Sequence, residues 1–266
     1  MSKRALAVFT SLLLSVAGLN LTSAKNNVEN SHENSVKPVP ASLLNSSVQQ
    51  LVLVVSEDWE ADVASMYRYQ KHQGQWQLVG DTTAVNLGRT GLAWGIGLHP
   101  KQTGYYKKEG DGKAPAGIFE FGTAFGYLPT VTTDMPYSQM LETSYCIDVN
   151  GSAFYNQIVD QKQVGIEATK GSTEAMRRDI HSNDHLYKKG LVIQHNPQNI
   201  STAGSCIFMH LWRGEGKPTA GCTAMQESHM DTLLAWINEK SKPLYVALPK
   251  HEYLAKKSAW GLPAIP

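Results

Sequence analysis

The chain has 266 residues, of which 42% are apolar and 18% charged, enough for one large domain or two small ones with a real core. Its formal net charge of +1 excludes the strongly basic footprint of a nucleic-acid binder. Three cysteines, an odd number, point in an oxidising compartment to one disulfide and one free thiol, with three reduced and buried thiols as the alternative.

The first residues, "MSKRALAVFTSLLLSVAGLNLTSA", begin with Lys3 and Arg4, continue with an apolar run to about Leu21, and end on small residues at Ala24. Residues 1–24 therefore predict a cleaved secretory signal peptide, with an uncleaved anchor as the alternative. The run is short for a membrane span and is interrupted by Thr10, Ser11, Ser15 and Gly18. Cleavage leaves 22 cations against 23 acids, a balance that does not favour electrostatic membrane binding, and no later stretch is long and apolar enough to span a bilayer. The signal predicts export.

Residues 25–49, rich in Asn, Ser and Pro, predict a flexible linker. The domain is expected over 50–250. "LVLVVS" (51–56) predicts a buried strand, and "SMYRYQ" (65–70) with "QWQLVG" (75–80) a hairpin turning at a Gly. Glycine-punctuated runs at 87–100 and 109–127 predict short strands and tight turns without a dinucleotide fingerprint. A short helix is expected over 172–182. A better one is expected over 227–240, where Met230, Leu233, Leu234 and Ile237 make one apolar face. "GLVIQHN" (190–196), "CIFMHL" (206–211) and "KPLYVALP" (242–249) predict strands, and 251–266 a tail. The fold class is mostly β with peripheral helices.

The chemistry-bearing stretch is "CIFMHLWRGEGKPTAGCTAM" (206–225). His210 ends a buried strand. Twelve residues on, after a loop holding Gly214, Gly216, Pro218 and Gly221, comes Cys222. A cysteine attacks as thiolate and needs a base or a positive environment to become one. Gly221 lets substrate approach the backbone, and the Gly221 and Cys222 N–H groups are candidate oxyanion donors. Spacing alone equally allows a core-edge histidine and a structural buried thiol. His195, His210, Cys222 and His229 offer zinc-type ligands, but no close ligand pair supports a metal site. No G-x-S-x-G elbow is present. His195 either lines the same pocket or is a satisfied strand-end histidine, and His181 and His185 read as loop residues. If Cys222 is the working thiol, Cys146 and Cys206 remain to pair.

The order of "EGDGKAPAGIFEFG" (109–122), "IDVNGSAFYN" (147–156), "STEAM" (172–176), "GLVIQHN" and the 204–225 stretch resembles the L,D-transpeptidase (YkuD-type, ErfK/YbiS-like) catalytic domain of bacterial cell-wall enzymes. The resemblance covers most of residues 50–248. It departs from the common family pattern at Ala220, where many members have His, at Ala224, where many have Arg, and in a shorter loop before Cys222. It implies a β-sandwich-like domain, Cys222 as nucleophile, His210 as base, and backbone amides of Gly221 and Cys222 as oxyanion hole. The implied reaction is acyl transfer on peptidoglycan stem peptides with no metal or cofactor, ending in a 3→3 crosslink. Together with the export signal, the resemblance to bacterial cell-wall enzymes implies the periplasm or cell envelope as the location. Hydrolysis by the same pair, as a carboxypeptidase or crosslink peptidase, and a non-catalytic wall-binding module are the alternatives. Trp212, Arg213, Thr219 and His195 are the candidate pocket residues.

Overall fold

A computed structural model describes residues 44 and 47–266. The signal-peptide call and nearly all of the linker call lie outside the described residues. The strands are β1 (Gln50–Ser56), β2 (Val63–His72), β3 (Gln75–Leu78), β4 (Thr83–Asn86), β5 (Leu92–Trp94), β6 (Ala114–Gly126), β7 (Tyr137–Gln139), β8 (Ser144–Cys146), β9 (Ile158–Asp160), β10 (Glu174–Ala175), β11 (Lys189–Ile193), β12 (Phe208–Leu211), β13 (Thr223–Met225) and β14 (Leu244–Pro249). The helices are α1 (Gln161–Val164), α2 (Ile166–Thr169), α3 (Arg178–His181), α4 (Glu227–Trp236) and α5 (Lys250–Trp260).

The fold is mostly β, and its main sheet closes on itself. The path β1-β14-β6-β11-β12-β13-β4-β2 returns to β1 through the antiparallel β1–β2 pairing. The family resemblance implies a mostly β, β-sandwich-like domain, and the mostly β character is what the structure shows. Strand β1 is paired on both edges, parallel to β14 and antiparallel to β2, so the main sheet is continuous there. Its unbroken apolar run is explained by burial of every residue from Gln50 to Ser56. Leu51, Leu53, Ile118, Met209, Met225 and Val246 belong to the central core.

Short-range signals explain the edges. In the β2–β3 hairpin, Gln73 and Gly74 both take positive φ, 49° and 80°, the conformation of a turn that matches the twist of its strands. Helix α4 packs against β11 and β12 and buries Met230, Leu233 and Leu234, with Ile237 buried just beyond its end.

Two expectations are corrected. The helix expected over 172–182 is confined to Arg178–His181, because Glu174 and Ala175 pair with Cys146 and Tyr145 as the edge of a second sheet, β10-β8-β9. That pairing satisfies the backbone that a helix would have used. The stretch 251–266, expected as a tail, contains most of α5, and Tyr253, Trp260 and Leu262 are buried in the central core. The Tyr253 hydroxyl donates to Pro263 O (2.8 Å) and the Tyr69 hydroxyl to Ala264 O (2.6 Å), which pins the chain end down.

Candidate functional site

Strands β12 and β13 run parallel with His210 opposite Ala224. Side chains on a strand alternate between faces. Ile207, Met209 and Leu211 face the central core, whereas Phe208 packs in a second cluster with Phe125, Tyr187, Cys146, Cys206 and Cys222. Phe208 and His210 share that second face. The sequence places Cys222 just before β13, so the thiol meets the same face beside the strand that carries His210. Both residues line a cavity of about 340 Å³.

The turn that presents Cys222 is held by Thr219. Its hydroxyl accepts from the Gly221 N–H (3.0 Å) and donates to Cys222 O (2.7 Å). The Gly221 N–H, expected as an oxyanion donor, is thus spent inside the turn, while the Cys222 N–H has no partner among the described residues. The Cys222 sulfur accepts from the Phe208 N–H (3.3 Å) and donates to Cys206 O (3.5 Å). Cys206 is bonded to Cys146, with Cα atoms 5.9 Å apart, and Cys222 is free. The disulfide ties the small sheet to the segment entering β12, so the carbonyl that touches the thiol is itself cross-linked.

His210 is buried and its Nδ1 lies 2.7 Å from Leu211 O. A carbonyl only accepts, so Nδ1 carries the proton and Nε2 is the basic nitrogen. The Tyr187 ring meets the imidazole edge to face at 5.1 Å. The Tyr187 hydroxyl donates to Glu174 Oε2 (2.7 Å), and the Arg178 guanidinium sits 5.2 Å from the Tyr187 ring while forming two bonds to Asp184 (2.8 and 2.7 Å). Glu174, Arg178 and Tyr187 also line the cavity.

Burial dominates the ionisation of the pair. It pushes the Cys222 thiol up to about 12, with the Glu174 carboxylate adding to the push and the Phe208 N–H, Lys107 and Arg178 opposing it. It holds His210 down to about 4; the bond to Leu211 opposes this, and Arg178 and Arg213 add to it. Burial also raises Glu174, against its bond from Tyr187 and the charge of Arg178. The site therefore holds a neutral thiol and a neutral imidazole, not the thiolate expected of an activated cysteine.

No protein-family model matches the chain, and no curated protein matches it. Among solved structures it is similar to the crystal structure of the helical cell shape determining protein Pgp2 from Campylobacter jejuni. That likeness has 15% identity and a TM-score of 0.35, over 76% of this chain and 48% of the other. The chain spans about half the length of that protein, and a likeness this slight carries no functional argument.

Trp212, Arg213 and Thr219 line the cavity with Cys222 and His210. His195 does not. It is buried elsewhere, its Nδ1 accepting from Ile96 N–H (3.2 Å) and its Nε2 donating to Ala203 O (2.9 Å), so both nitrogens are spent on backbone. His229 is exposed on α4. No group of three or more His, Cys, Asp or Glu among the described residues is placed to hold a metal ion. No helix among them is long and apolar enough to cross a membrane.

Four residues that matter here were missed. Lys107, Glu174 and Tyr187 lie in the cavity wall. Asn86 holds the 213–218 loop: its side-chain amide donates to Gly214 O (2.8 Å) and Lys217 O (2.9 Å), and its oxygen accepts from Gly216 N–H (3.1 Å). Of the four, Asn86 had a readable signal, an amide at the end of a short apolar strand.

Proposed function

We propose that the chain is an exported cysteine acyltransferase of the L,D-transpeptidase type that acts on peptidoglycan stem tetrapeptides. One observation carries this reading: the free Cys222 thiol, from the turn before β13, and the His210 imidazole, from β12, line the same cavity, and the bond from Nδ1 to Leu211 O leaves Nε2 as the base. The Cys146–Cys206 bond supports an oxidising compartment, in keeping with export.

In this reading Cys222 Sγ attacks the carbonyl that joins the L-centre of meso-diaminopimelate to D-Ala. His210 Nε2 takes the thiol proton as the S–C bond forms and passes it to the departing D-Ala amine. The product is a thioester on Cys222. An amine from a second stem resolves it to a 3→3 crosslink, and water resolves it to a shortened stem. The neutral resting pair fits general-base catalysis, in which the proton leaves sulfur during attack.

The deciding experiment is incubation with purified tetrapeptide muropeptides, with and without an amine acceptor, followed by mass spectrometry. Wild type is expected to release D-Ala and to give crosslinked dimers when acceptor is present. Cys222→Ala is expected to stay folded and give neither product. Shortened stems without dimers would make the protein a hydrolase. Retained D-Ala release in Cys222→Ala would overturn the assignment of the nucleophile. A wild type that turns over no muropeptide and forms no carbapenem adduct at Cys222 would leave a wall-binding module.

A further inference from the structure

We infer that Lys107 supplies the charge that stabilises the oxyanion in this site, in the place that the Gly221 amide would otherwise take. This deepens the acyl-transfer reading and rests on it.

Lys107 follows β5 in a loop and precedes the "EGDG" turn, far from Cys222 in sequence. Its side chain is 4% exposed, yet it lines the same cavity as Cys222 and His210. A buried ammonium is costly unless its charge and its donors are used. Here one partner is present: Nζ lies 3.0 Å from Asp111 Oδ1. That carboxylate is rigid, because Oδ1 also accepts from Lys113 N–H (2.9 Å) and Oδ2 from Lys108 N–H (2.8 Å). An ammonium has three N–H donors. The other two have no partner among the described residues. Asp111 therefore fixes the amine in position without exhausting it.

The position is against the nucleophile's turn. A Cβ placed on Gly221 would lie 3.2 Å from Lys107 Nζ, so the ammonium packs against the glycine that precedes Cys222. The N–H of that glycine is spent on Thr219, which leaves the Cys222 N–H as the turn's open donor. One amide is a poor oxyanion hole; an amide and a desolvated cation make a strong one. As Cys222 Sγ bonds to the carbonyl carbon, the C=O π pair moves onto oxygen. That negative charge would fall between the Cys222 N–H and the Lys107 ammonium. When the oxyanion collapses, the pair returns to carbon and D-Ala leaves with the proton from His210. Lys107 gives up no proton in this sequence.

The competing role for such a cation is to hold the D-Ala carboxylate in the ground state. The two roles separate kinetically. Lys107→Met, and Lys107→Met with Asp111→Asn so that no lone carboxylate is left, are compared with wild type and with Lys107→Arg. Two donors are used: a tetrapeptide muropeptide and p-nitrophenyl acetate, whose thiol acylation passes through an oxyanion but has no carboxylate to anchor. Folding is checked by circular dichroism. An oxyanion role predicts a fall of about 10²–10³ in kcat with KM nearly unchanged on the muropeptide, and a comparable fall in the Cys222 acylation rate by the ester. Lys107→Arg should recover part of both. A rise in KM on the muropeptide with an unchanged ester rate would overturn the proposal in favour of a carboxylate anchor. Unchanged rates on both donors in the folded double variant would also overturn it. If wild type turns over no muropeptide, the acyl-transfer reading fails by itself, and the ester rates alone decide the role of Lys107.

Discussion

Acid should unfold this protein unusually early, because three buried histidines are held neutral. His99, His195 and His210 are each lowered to about 4, in every case chiefly by burial. Backbone bonds, at Gly95 for His99 and at Ala203 for His195, oppose the shift without reversing it, while the Nδ1 of each accepts from a backbone N–H. His99 Nδ1 accepts from the Ile118 N–H (3.0 Å) and His195 Nδ1 from the Ile96 N–H (3.2 Å), so protonating either nitrogen sets two donors against each other. Unfolded histidine titrates near 6.5, so between pH 6.5 and 4 the unfolded chain binds more protons than the native one. Stability present above pH 6.5 is therefore lost as pH falls through that window. A depression from 6.5 to about 4 corresponds to about 3 kcal/mol per histidine, and to roughly 10 kcal/mol for the three. That rivals the whole stability of an ordinary domain, about 5–15 kcal/mol. Glu174 acts in the opposite sense, since burial raises it and the native carboxyl then takes up a proton first, but it offsets at most one. Near pH 5, unfolding should take up between about two and three protons, a slope of ~3–4 kcal/mol per pH unit. Urea titrations at pH 7, 6 and 5, followed by tryptophan fluorescence and circular dichroism, measure it. Equal midpoints at pH 7 and pH 5 would refute the argument that these imidazoles stay neutral in the fold.

Alkylation of Cys222 by iodoacetamide should quicken about tenfold per pH unit from pH 7 to 9, because the thiol is held up at about 12 and the thiolate is the reacting form; a plateau below pH 8 would show an activated thiolate instead. Cutting the Cys146–Cys206 bond, which closes a sequence separation of 60, should cost about 4 kcal/mol by loop-closure entropy. For a domain of this size that is a fall in Tm of roughly 8–16 °C; a shift of a degree or two in the Cys146→Ser, Cys206→Ser variant would contradict it. Asn86→Ala removes three hydrogen bonds to the 213–218 loop at a buried position and should cost about 2–3 kcal/mol. Limited trypsin digestion should then cut after Arg213 in the variant sooner than in wild type.

What could be read from the sequence was local or periodic. The β1 run, the β2–β3 hairpin and α4 all announce themselves within a window of a few residues, because apolar spacing and turn chemistry act at that range. The Glu174–Ala175 strand does not, since its partner is Tyr145–Cys146 and the pairing overrides a plausible local helix. The same limit divides the site. Cys222 and His210 stand close together in one stretch, so a thiol with a nearby base was readable. Lys107 and Glu174 reach the cavity through the folding of distant segments, and nothing around either residue marks it as facing a thiol. His195 shows the converse: a strand-end histidine beside a candidate site reads like a ligand, yet both its nitrogens are taken by backbone.

The raised thiol and the disulfide bear on each other. Oxidants and disulfides react with thiolate, so an unpaired cysteine in an oxidising compartment is endangered in proportion to its ionised fraction. Burial among Phe208, Cys206 and Tyr187, with Glu174 nearby, keeps Cys222 protonated. The Cys146–Cys206 bond keeps Cys206, whose carbonyl touches the Cys222 sulfur, already paired. The same burial costs reactivity, so on the acyl-transfer reading attack has to be coupled to proton removal by His210 Nε2. A low resting reactivity that rises when substrate fills the cavity is then the expected behaviour of this site. It is also why alkylation by a small reagent and acylation by a stem peptide should respond differently to His210→Ala: the first little at neutral pH, the second severely.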